Sequence, residues 1–111
     1  MQESYTLEKF NSGRTVVGDA ITELAKTDDR IWLLTPDIGW GCADFKAAYS
    51  GRFIDTGIAE QCVVGVSAGL ALEGSIPFII GMMPFMSMRD LEQVRTDLCY
   101  QNLPVRIIAN Y

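Results

Sequence analysis

Histidine is missing altogether from this chain. Any Ser-His or Cys-His pair, and any histidine-rich metal site, would need its imidazole from another chain, which leaves acid–base work to Glu, Asp, Lys, Tyr or Cys. Cysteine is scarce and odd in number. Cys42, Cys62 and Cys99 form no C-x-x-C pair and no disulfide framework, so they read as small buried residues in a reducing cytoplasm. No apolar run reaches the ~18 residues that a membrane span needs. Residues 1–10 have no basic flank leading into an apolar stretch, which excludes a signal peptide there. Positive charge is also short: nine Lys and Arg stand against fourteen Asp and Glu, a net charge of −5. General nucleic-acid binding needs a basic surface that displaces counterions, and this balance argues against it.

What is present suits one domain over residues 1–111. The chain is 49% hydrophobic and 21% charged, enough to bury a core and too apolar for disorder. Apolar residues at helical spacing predict an amphipathic helix over 14–27. Residues 31–34 and 77–80 read as buried strands, 52–55 as a brief strand and 104–109 as a final one. A short helix is expected over 44–49, and a second amphipathic helix over 89–100 with Leu91, Val94, Leu98 and Cys99 on its apolar face. Residues 60–73, EQCVVGVSAGLALE, have little polarity after the first two positions. Such a helix is expected to be buried on most sides, with Gly65 and Gly69 letting neighbours approach and Gly74 closing it. Strands alternating with helices, and apolar on both faces, predict a parallel α/β sheet with flanking helices. Such sheets place ligands beyond the carboxyl ends of their strands. Loops 35–43, 56–59 and 81–88 are therefore the places to look for chemistry.

Glu60 is the sharpest position. It follows a strand and opens the apolar helix, where a carboxylate meets the positive end of the helix dipole. Helix-start electrostatics alone would explain an arbitrary Glu there. The burial expected of this helix, together with the strand-end loop before it, points the acid toward a cleft.

The run RFIDTGIAEQCVVGVSAGLA over residues 52–71 resembles the pyrimidine-binding domain of the transketolase family, which includes transketolases and 1-deoxyxylulose-5-phosphate synthases. The later runs MPFMSMRDLEQVRTD and NLPVRIIAN resemble the next block of the same domain. The resemblance covers most of the chain from Ile31 onward. It implies a thiamine diphosphate-binding fold in which the glutamate matching Glu60 hydrogen-bonds N1′ of the aminopyrimidine and favours the imino tautomer that takes a proton from the thiazolium. Ketol transfer between sugars follows from the cofactor's chemistry. Phe85 matches an aromatic that packs on the pyrimidine, although core packing explains a lone Phe equally simply. Met82 stands where the family often has a second aromatic, and a thioether can fill that space. Gly57 and Ile58 would wall the ring, and Gly57 could equally be a turn residue. Asp37 is either a cofactor- or interface-facing acid or a strand-end turn. Gln61 either orients Glu60 or bonds across an interface. Arg89 and Arg95 either pair across an interface or are solvated helix charges. The Trp40 loop is either a contact surface or packed on itself.

Nothing in the chain matches the Gly-Asp-Gly…Asn motif that holds Mg2+ and the diphosphate in the family. The segment that follows Asn110-Tyr111 in relatives, and their C-terminal domain, are also missing, so the domain reads as truncated. The resemblance therefore implies a homo- or hetero-oligomer. One partner chain would carry the diphosphate and Mg2+, and another would supply the missing C-terminal part. Two alternatives keep the fold: a non-catalytic assembly or regulatory module, and the β-component of a 2-oxo acid dehydrogenase.

Overall fold

Four apolar runs become four parallel strands. In the computed structural model, which describes residues 13–39 and 41–110, these are β1 (Ile31–Thr35), β2 (Phe53–Asp55), β3 (Ile76–Met82) and β4 (Arg106–Asn110). They form one sheet in the order β2-β1-β3-β4, with every neighbouring pair parallel. Alternation along each strand sends side chains to two opposite layers. Ile31, Leu33 and Ile80 meet Ile21 of helix α1 (Gly13–Leu24), Ala25 just beyond it and Phe45 of helix α2 (Ala43–Ala48). Leu34 and Ile79 point the other way, onto Val63, Val64 and Ala68 of helix α3 (Glu60–Leu72). Leu33, Leu34, Ile79, Ile80 and Phe45 are completely buried, each worth about 1.5–3 kcal/mol of transfer free energy. The parallel, doubly covered sheet expected from the sequence is thus present. Among the described residues no helix is long and apolar enough to cross a membrane.

Three sequence expectations need correction. The helix expected over 89–100 begins earlier and is not a plain α-helix. A wide i→i+5 turn (Phe85–Arg89) leads into the single turn α4 (Leu91–Gln93) and then a second wide turn (Val94–Cys99). Wide turns shift the phase of a helical face. Met86 and Leu98 consequently point into the core, while Leu91 is 58% exposed and Cys99 is exposed. Next, α3 buries one side only. Val63, Val64, Ser67, Ala68 and Ala71 are covered, whereas Cys62, Gly65, Gly69 and Leu72 face outward. Among the described residues, nothing outside the helix itself lies within 4 Å of where a Gly69 side chain would start, and a Gly65 side chain would meet only the Asp97 carboxylate at 4.0 Å. Finally, only Cys42 is a buried thiol; Cys62 and Cys99 are exposed. The Trp40 side chain falls outside the described residues.

One glycine is fixed by contact. A Cβ at Gly18 on α1 would run into the carbonyl oxygen of Gly41 in the loop before α2. Gly18→Ala is expected to cost about 1–3 kcal/mol through overpacking, measured as a lower urea midpoint for this chain. A thiol count checks the cysteine placement. Burial, and after it the charge of Asp55, pushes the Cys42 thiol up to about 11, and thiolates are the reactive form. Ellman's reagent should therefore label Cys62 and Cys99 in the native chain, and Cys42 only in denaturant; equal labelling of all three would refute this placement.

Candidate functional site

All the strands are parallel, so their carboxyl ends share one edge. The strand order places the topological switch between β1 and β3, where loops diverge and open a crevice. At this edge Asp55, the last residue of β2, is a clip. Its Oδ1 accepts the backbone N–H groups of Asp37 and Gly57, both at 2.9 Å. Thr56 N–H adds a bond to Thr35 O at 3.0 Å. Both clipped residues have left-handed backbones, Asp37 at φ 63° and Gly57 at φ 71°. Gly57 takes that conformation without a Cβ penalty. Asp is among the few other residues that tolerate it.

The clipped loop delivers Glu60 as the first residue of α3. Ala59 before it offers no side-chain cap, so the dipole and free N–H groups at the helix start are open to the carboxylate. Glu60 is 3% exposed. Its Oε2 accepts a 2.9 Å bond from Arg89 Nη1, within the range of a charge-assisted pair. Arg89 ends the first wide turn, on the arm that leaves β3. Its guanidinium also lies over the Phe85 ring, 4.3 Å from the centroid. The Gln61 amide donates to the backbone carbonyl of Arg89 at 3.2 Å. Glu60, Gln61, Arg89 and Phe85 are thus one connected group, built from the β2–α3 loop and the arm after β3.

A surface hollow of about 410 Å³ opens beside this group, lined by Ile58, Ala59, Glu60, Gln61, Cys62 and Arg89. Ile58 is 74% exposed, a large apolar side chain offered to whatever enters. Ile58, Glu60 and Gln61 therefore share the hollow, and Phe85 joins it through Arg89. Gly57 and Asp37 flank it as turn residues clipped by Asp55. Met82 ends β3 beside Asn110 of β4 and does not line it. Arg89 pairs with Glu60 within the chain, while Arg95 pairs with Glu92 on the exposed surface at 2.7 Å.

Sequence reasoning missed Asp90. It is completely buried, and among the described residues neither carboxylate oxygen has a hydrogen-bond partner. Burial, and beyond it the negative charge of Glu60, raises its pKa above the ordinary carboxylate range. Only its place between Arg89 and Leu91 on an otherwise amphipathic pattern marked it, and the shift of helical phase hid that it points inward.

A match to a family model decides what this edge belongs to. Residues 11–110 fit the model described as "Transketolase, pyrimidine binding domain". The chain belongs to the transketolase family. A 1-deoxy-D-xylulose-5-phosphate synthase of Clostridium perfringens (strain SM101 / Type A) is 43% identical over 93 residues, covering 81% of this chain and 15% of that protein. A 1-deoxy-D-xylulose-5-phosphate synthase 1 of Geobacter metallireducens is 46% identical, again over 81% of this chain and 15% of the relative. Among solved structures, a split gene transketolase described as an inactive beta4 tetramer superposes with a TM-score of 0.80 at 38% identity. That match covers 86% of this chain and 33% of the other. The pyrimidine-binding domain seen here thus spans about a sixth of the length of these curated relatives.

The buried acid of this pyrimidine-binding domain makes a pH prediction. A carboxyl whose folded pKa is raised contributes stability below its unfolded pKa and loses it as pH climbs through the folded value. Asp90 should therefore make the chain progressively less stable above pH ~4. Asp90→Asn should flatten that slope and raise the urea midpoint at pH 8 more than at pH 4. A wild-type slope retained by Asp90→Asn would mean that Asp90 is not the titrating group.

Proposed function

We propose that this chain binds the aminopyrimidine of thiamine diphosphate as one component of a multi-chain transketolase-type transferase. The observation that carries the reading is Glu60: a carboxylate that is nearly fully buried, opens α3 and borders a hollow at the carboxyl edge of the sheet. The residues fit the ring. Glu60 offers a carboxylate to a flat nitrogen-bearing group, and the Phe85 face already carries one flat cation, the Arg89 guanidinium. Ile58 supplies an exposed apolar wall.

Bound thiamine diphosphate would supply the nucleophilic carbon and the electron sink for carbon–carbon cleavage in ketol transfer. Glu60 would hold a proton at N1′ of the ring over a short charge-assisted hydrogen bond. Its rigidity comes from α3, whose far side is locked by Val63, Val64 and Ser67. Phe85 and Ile58 would exclude water around the ring. Gln61 would hold the Arg89 backbone, and Gly57 and Asp37 would fix the approach of the loop. Among the described residues no group of three or more His, Cys, Asp or Glu side chains is placed to hold a metal. In the proposed assembly, Mg2+ and the diphosphate would be held by residues outside the described ones, on a partner chain.

A second reading is an assembly module that binds no cofactor. The outward strip of Cys62, Gly65, Gly69 and Leu72 on α3 supports it, because an exposed apolar strip suits contact with another chain and needs no chemistry.

Reconstitution separates the two. The chain is combined with a chain carrying the diphosphate domain, and thiamine diphosphate binding and ketol transfer are measured. Glu60→Gln should leave assembly intact and lower kcat by about 10²–10⁴, the usual contribution of a positioned proton-transfer group. Wild-type turnover in a correctly assembled Glu60→Gln complex would remove the proposed role. Assembly without cofactor binding would favour the second reading.

A further inference from the structure

Arg89 makes two contacts that the proposed cofactor ring would itself need. Its Nη1 donates to Glu60 Oε2 at 2.9 Å, and its guanidinium lies over Phe85 at 4.3 Å from the centroid. The chemical likeness is close. A protonated aminopyrimidine is a flat, delocalised cation with an N–H aimed at a carboxylate, and guanidinium is the protein side chain nearest to that description. Both cannot occupy Glu60 Oε2 and the same face of Phe85 together. The Arg89 side chain is also free to leave, being 46% exposed while Glu60 is 4%. Its backbone need not follow, because the Gln61 amide holds the Arg89 carbonyl at 3.2 Å.

We infer that Arg89 is a resident surrogate for the cofactor ring. In the unloaded chain it keeps Glu60 paired and Phe85 covered, and it swings into solvent when the ring arrives. The inference rests on the cofactor reading above and adds to it a side chain that must move. Arg89 gives the buried Glu60 carboxylate a counter-charge, without which burial would be costly. It also holds the acid and the aromatic in the arrangement a flat cation requires, so loading exchanges one such cation for another rather than building a site from a collapsed one. The cost of loading is the contact given up: a half-exposed ion pair and one cation–π contact, both modest in strength.

The test uses the assembled complex with the diphosphate-bearing partner and thiamine diphosphate as the probe. Calorimetry should find that Arg89→Met, which removes the cation and its donors, binds the cofactor about 3- to 30-fold more tightly than wild type, since no surrogate competes. Equal or weaker binding by Arg89→Met overturns the inference. A measurement on the wild type needs no variant: the guanidinium N–H signals of Arg89, followed by nitrogen NMR, should be protected from water exchange in the unloaded complex and exchange freely at saturation. Signals unchanged at saturation overturn it as well. The two failures are distinguishable. A wild-type complex that binds no thiamine diphosphate defeats the cofactor reading together with this inference. Binding with an immobile Arg89 defeats the inference alone.

Discussion

Burying the Glu60 charge is the constraint around which the carboxyl edge of the sheet is arranged. A carboxylate at 3% exposure is tolerable only with compensation, because desolvation of an unpaired ion outweighs most single contacts in a small domain. Three sources converge on it. The start of α3 brings a dipole and free N–H groups. Arg89 brings a full counter-charge. The hollow keeps one side open for a further partner. The first two belong to different stretches of chain, and the hollow lies between them, so their convergence requires β2, α3 and the arm after β3 to hold fixed positions.

The sheet fixes those positions by simple means. Register pairs Thr35 with Asp55 and Leu34 with both Ile54 and Ile79, which sets the strand ends side by side. Asp55 then turns that alignment into a rigid rim by accepting two backbone N–H groups from two different loops. At the opposite edge Arg52 does comparable work. Its guanidinium donates to the carbonyls of Ala25, Asp28 and Ile31 and lies over Tyr49, tying α1, its following turn and β1 to the start of β2. A short three-residue strand such as β2 is held less by its ladder than by these side-chain ties at each end.

The sequence was legible where period and position coincide. Strand runs such as 31–34 and the loop TGIAEQ carry their meaning in local pattern, so the parallel sheet and the placement of Glu60 at a strand end could be read directly. The face of the arm after β3 could not, because a 3.6-residue period misplaces side chains once i→i+5 turns intervene: the period puts Leu91 inward and it lies outward, while Asp90, which that period marks as polar surface, lies in the core. The one-sided burial of α3 was hidden for a different reason. Its residues are apolar all round, and apolarity alone does not say whether the covering atoms belong to the same chain. The Arg89–Glu60 pair joins residues 29 apart in sequence, and no local signal distinguishes it from an exposed charge.

The outward side of α3 and the arm beside it belong to the same argument. Ile58 and Met88 are each 74% exposed, and Leu72 and Leu91 exceed half exposure. Scattered apolar residues are ordinary on a protein surface, but here Gly65 and Gly69 lie between them on a helix whose buried side already fills its core. Small residues cost helix stability, and a side chain at Gly69 would meet no described atom outside the helix within 4 Å, while one at Gly65 would meet only the Asp97 carboxylate at 4.0 Å. An exposed face of this kind leaves room for a second chain to approach α3 closely. A partner seated there would pack against the same helix that carries Glu60. Assembly and the burial of the site acid would then be coupled through one rigid element, with the acid's environment drying further as the partner docks.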